Sequence, residues 1–69
     1  MTREEYSTMQ DTILQLMEDE RGYCATYCKN NPDDRKRRET IRDYIISGLH
    51  NALSSLHEKV KTGKISIKG

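Results

Sequence analysis

With 69 residues the chain has room for one domain at most, and a chain this short buries only about 60% of the surface it exposes when unfolded. Apolar residues make up 33%, charged residues another 33%, and there is neither Trp nor Phe, so the core must be thin and a lone monomer marginal. Twelve basic against eleven acidic side chains leave a net charge of +1. There is thus no global pull toward nucleic acid or an anionic membrane, and any electrostatic function must reside in local patches.

No apolar run approaches the roughly 18 residues that a membrane span needs, and the opening Met1-Thr2-Arg3-Glu4-Glu5 is charged where a signal peptide would be apolar. Cys24 and Cys28 are too few for a disulfide framework, and their C-x3-C spacing differs from the redox or zinc-type C-x2-C. The expected setting is a reducing cytoplasm, with no membrane contact.

The first predicted element begins at Thr2-Arg3-Glu4-Glu5. There the Thr hydroxyl can accept the backbone N–H of Glu5 while the Glu5 carboxylate reaches back, which is the capping-box pattern. Tyr6, Met9, Ile13, Leu16, Met17, Cys24, Tyr27 and Cys28 then recur at steps that place them on one helical face. A helix is predicted over about residues 3–29. Glu20 stands where an apolar residue is due, and Gly22 costs roughly 1 kcal/mol against Ala inside a helix. A bend or break near Gly22, giving three segments, is therefore the alternative to one continuous helix.

Asn30-Asn31-Pro32-Asp33-Asp34 is the clearest punctuation. Asn31 can cap, Pro32 suits a first helical position, and the two acids favour a positive helix start. A second helix is predicted over about residues 32–62, roughly 45 Å long. Its stripe is Ile41, Tyr44, Ile45, Leu49, Ala52, Leu53, Leu56 and Val60, and its stop is Gly63. A turn this short folds two helices back on each other, so the fold class is all-α, an antiparallel two-helix hairpin over residues 1–63. Residues 64–69 alternate like a strand with no partner strand in the chain, which predicts a flexible tail, or strand addition to another protein.

Four residues invite a metal reading: Cys24 and Cys28 as thiolates, His50 and His57 as imidazoles. Folding back at residues 30–31 sets the cysteines opposite residues 33–37 and the histidines opposite residues 4–11, about 20 Å apart. Small buried cysteines are the expectation, with no metal and no cofactor. Neither Cys nor Ser has a His–carboxylate pair placed for it, and no phosphate loop or paired-carboxylate motif is present. Two helices also offer little concavity, so neither an enzyme nor a small-molecule substrate is expected.

The sharpest local feature is Arg35-Lys36-Arg37-Arg38, followed by Arg42. Positive charge at a helix start opposes the helix dipole, so these five residues are candidates for contact with an acidic protein partner or with nucleic acid. Against that, Asp33, Asp34 and Glu39 dilute the patch. Glu18-Asp19-Glu20 of the first helix falls opposite residues 41–43, where it can meet Arg42 and, with modest reach, Arg38. No aromatic interleaves with the bases as in single-strand binders, which makes nucleic acid the weaker partner. Tyr6, Tyr23, Tyr27 and Tyr44 suit surfaces where a ring is buried and its hydroxyl stays wet.

The apolar stripe of the second helix is broader than one neighbouring helix covers. Ile45, Leu49, Ala52, Leu53, Leu56 and Val60 are accordingly the expected oligomer interface, with two hairpins forming a dimeric helical bundle. The short charged chain, its Met1-Thr2-Arg3-Glu4-Glu5-Tyr6 opening and the layout of two helices about Asn31-Pro32 resemble the small helical accessory proteins of the exo-xis early region of lambda-like phages. That resemblance implies a non-enzymatic protein modulating phage development or host physiology through protein contacts in the bacterial cytoplasm. It transfers no functional residue. The expected function is regulatory or adaptor-like, by protein–protein contact; a nucleic-acid-associated protein using the basic run is the alternative.

Overall fold

The computed structural model describes residues 1–68. Helix α1 spans Arg3–Asn30, a single 3-10 turn follows at Pro32–Asp34, and helix α2 spans Arg35–Lys61. The two helices pack side by side as a plate of 50 × 19 × 9 Å, one helix layer deep. The all-α hairpin read from the sequence is the fold observed.

Capping starts α1 as expected. The Thr2 hydroxyl accepts from Glu5 N–H at 3.0 Å, and a Glu5 carboxylate oxygen accepts from Thr2 N–H at 2.9 Å. These bonds to Thr2 hold the Glu5 carboxyl below its ordinary range. The helix runs unbroken through Gly22, so the three-segment alternative does not occur. A Cβ at Gly22 would meet no other atom within 4 Å, and the helix carries this glycine without any packing need inside the hairpin.

Asn31 acts differently from a cap on the following helix. Its backbone N–H and its side-chain amide both donate to the Tyr27 carbonyl, at 2.8 and 3.0 Å, and so close the end of α1. Pro32 opens the 3-10 turn as its fixed φ favours. At the far end, Thr62 and Gly63 turn the chain off α2, with Gly63 at φ 80°, a conformation suited to glycine. The tail then finds partners that its own alternation does not reveal. Lys68 N–H donates to the Met1 carbonyl at 2.8 Å, Arg3 N–H donates to the Lys68 carbonyl at 3.2 Å, and the Met1 ammonium donates to the Ser66 carbonyl at 3.1 Å. A single parallel bridge between Thr2 and Lys68 results, with Ile65 and Ile67 half-buried beside it.

The interior is as thin as the composition demands. Among the described residues its buried apolar side chains are Met17, Cys24, Cys28 and Leu56, of which Cys24 alone is fully enclosed. The fifth buried side chain is charged. Arg38 is 8% exposed and places Nη2 2.6 Å from Oε1 of the nearly buried Glu20. Glu20 thus occupies an apolar register because its partner crosses from α2. The tie is closer to a charge contact than to an aligned hydrogen bond, since Glu20 Oε1 and Arg38 Nη1 are both buried without a hydrogen-bond partner. The Tyr23 ring covers the pair on one side, with its centroid 5.1 Å from the guanidinium carbon.

Candidate protein-contact surfaces

The basic run is taken apart by the fold. Arg37 donates through Nε and Nη2 to the Asp34 carboxylate, the former at 2.7 Å, and Tyr27 donates its hydroxyl to the same carboxylate at 2.7 Å. Hydrogen bonds from Arg37 first, and Tyr27 second, hold the Asp34 carboxyl down to about 2. The reciprocal effects push the Arg37 guanidinium and the Tyr27 phenol up. The net result is a lock on the interhelical turn, joining α1, the 3-10 turn and α2.

Arg38 points inward, and Glu20 raises its pKa against the opposing effect of burial. Arg42 donates to Asp43 at 2.9 and 3.1 Å and lies 3.7 Å from Glu39, which also sits 3.6 Å from Arg35. Among the described residues Lys36 alone of the five has no ion-pair partner. The expectation that Glu20 could reach Arg38 is met; Arg42 takes its acids from its own helix. Of Arg35, Lys36, Arg37, Arg38 and Arg42, Arg38 is withdrawn into the seam, Arg42 is half-buried, and Arg35, Lys36 and Arg37 stay exposed.

The six residues expected at an oligomer interface divide in the same way. Leu56 is buried, and Leu49, Leu53 and Val60 are half-buried on the side of α2 that carries Arg38, where α1 covers them. Ile45 and Ala52 stay exposed. Excess apolar surface lies elsewhere. On α1, Met9, Leu16 and Tyr23 are seven residues apart and form one exposed row. On α2, Tyr44 is 77% exposed, the most open of the large apolar side chains among the described residues, and stands among Thr40, Asp43 and Ser47, while Ile45 is 40% exposed nearer the seam. Because Tyr23 rests on Arg38, and Arg38 begins the α2 row through Ile41, Ile45 and Ala52, the α1 row and Ile45 flank the same side of the seam, with Tyr44 farther out on α2.

Cys24 and Cys28 are free, with their sulfurs 3.9 Å apart. Burial, with a further push from Cys24, raises the Cys28 thiol above its ordinary range. His57 lies toward the other end of the hairpin, 2.6 Å from the Gln10 amide oxygen and tilted against Tyr6, while His50 faces outward. The fold keeps cysteines and histidines apart, and no group of three metal-ligating side chains occurs among the described residues. Nor is any helix there long and apolar enough to cross a membrane.

Sequence periodicity placed Met9 and Leu16 on the inner stripe, yet both stand at its margin and remain exposed. Leu14, outside that stripe, is about half exposed on the opposite flank of α1. A width test on the α1 stripe was the signal available for the first two. No known protein family, curated protein or solved structure matches the chain.

Proposed function

We propose that the protein is a small non-enzymatic regulatory or adaptor protein that acts by protein–protein contact through the face formed by Met9, Leu16, Tyr23, Tyr44 and Ile45. The observation carrying this reading is the exposure of these large apolar side chains on one side of a hairpin whose described residues include only four buried apolar ones. Large apolar side chains left exposed on one side of a small protein mark an association site, and Tyr suits such a face because its hydroxyl remains solvated at the rim. The resemblance to accessory proteins of the lambda-like phage early region agrees with this reading, and would place the contact in a bacterial cytoplasm. The nucleic-acid alternative has less support, since Arg37 and Arg38 are engaged within the hairpin.

The test is affinity capture with the wild type beside Leu16→Lys/Tyr44→Lys. Both positions are exposed, so the fold should persist, and circular dichroism checks that it does. A partner held by the wild type and lost by the variant supports the reading. Retention of the same partners by the folded variant would remove the face from consideration.

A further inference from the structure

The opposite flank of α1 takes no part in the apolar face. Asp11, Leu14, Glu18, Arg21, Ala25 and Lys29 follow at steps of three and four, and all six are exposed. Among the described residues none of their four charges has an ion-pair partner within 4.0 Å, whereas Arg35, Arg37, Arg38 and Arg42 all do. The charges are also sorted by sign. Acids occupy the N-terminal half of the row and bases the C-terminal half. Such a row is complementary to itself when two copies lie antiparallel, and a two-fold axis makes each contact occur twice.

The register follows from the spacing. With the axis passing between Glu18 and Arg21, Glu18 of each copy meets Arg21 of the other. Asp11 then meets Lys29, and Leu14 lies on Ala25. Next to this row the two helices enclose a cleft of about 390 Å³, with Arg21 and Lys29 on the α1 wall, Arg35 and Arg42 on the α2 wall, and Glu39 as its lone carboxylate. Asp11 and Glu18 are seven residues apart, roughly 10 Å along a helix. Arg35 and Arg42 have the same separation, and Arg21 and Lys29 differ from it by one residue. A second copy's acids therefore arrive within one residue of the spacing of Arg21 and Lys29, the cleft cations that no carboxylate engages among the described residues.

Gly22 stands beside the proposed axis in open space, as Gly48 does on α2, and leaves room there for a second helix. A missing side chain at a helix crossing lets two backbones approach closely. We propose that this flank is a homodimer interface in which α1 packs antiparallel on α1 of a second copy, acidic half over basic half. The interface leaves the Met9 to Ile45 face open and stands independently of the partner-binding reading above.

Sedimentation velocity on two charge variants and their mixture tests the proposal. Asp11→Lys/Glu18→Lys makes the row wholly basic, and Arg21→Glu/Lys29→Glu makes it wholly acidic. At about 100 µM and low salt the wild type should sediment as a dimer, with association weakened about tenfold or more in roughly 0.5 M salt. Each variant alone should be monomeric, because every lost attraction becomes a repulsion twice over. Their equimolar mixture should recover a dimer. Helicity confirms folding, and should a double variant unfold, Glu18→Lys and Arg21→Glu are paired in the same design. A monomeric wild type, a variant that self-associates like the wild type, or a mixture that stays monomeric would each overturn the proposal.

Discussion

Removing the buried carboxylate of Glu20 should cost more stability than any other single change to a polar side chain. In Glu20→Leu the Arg38 guanidinium, 8% exposed and stacked on Tyr23, loses the oxygen 2.6 Å from Nη2. Stripping one partner from a buried ion pair costs about 3–5 kcal/mol. The hairpin is one helix layer deep, so water lies close enough to receive part of the freed charge, which puts the loss of Glu20 at about 3 kcal/mol. A domain of this length has a total stability of only about 3–10 kcal/mol. The melting temperature should therefore fall by roughly 12–24 °C, at about 4–8 °C per kcal/mol. The double variant Glu20→Leu/Arg38→Met removes both charges and fills the register with apolar volume, so it should melt close to the wild type. Thermal melts of the wild type, both single variants and the double variant, followed by circular dichroism, give the coupling directly. If the single losses are each within about 0.5 kcal/mol of zero, or if they simply add in the double variant, the pair is solvated and the account of the seam is wrong.

Two further outcomes follow from local geometry. Gly22→Ala should raise monomer stability by about 1 kcal/mol, since the added methyl meets open space; a thermal melt showing destabilisation would mean that the glycine serves the hairpin itself. Asp34 should titrate at about 2 against its ordinary 3.8. Because the folded-state value is the lower one, its contribution to stability is full above about pH 4 and is lost as pH falls through about 2. An NMR titration of the Asp34 side-chain carboxyl reads this midpoint, and Arg37→Gln should move it back toward the ordinary value. A midpoint near 3.8 in the wild type would show that the Arg37–Asp34–Tyr27 lock does not form in solution.

Local rules carried most of the fold. The capping box at Thr2 and Glu5, the stop at Asn30-Asn31-Pro32 and the turn at Gly63 each depend on groups within a few residues of one another, and each appears where the sequence places it. Glu20 and Gly22 looked like flaws in the α1 stripe because periodicity scores a residue by type. Whether Glu20 is a flaw depends on Arg38, eighteen positions away and on another helix. The same holds for the basic run, where four consecutive bases read as one patch although the helix points them in different directions and acids from both helices claim them.

By itself the sequence determined that this protein is two long helices folded back at Asn31-Pro32, since hydrophobic period, caps and a proline act locally and need no tertiary context. Only the tertiary structure decided which charges are free and which apolar residues remain outside. Burial and ion pairing depend on the rotation of each helix about its own axis, and that angle is set by packing across the seam: Cys24 and Leu56 go inward, Arg38 follows them to Glu20, and Leu16, Tyr23 and Tyr44 are left facing solvent.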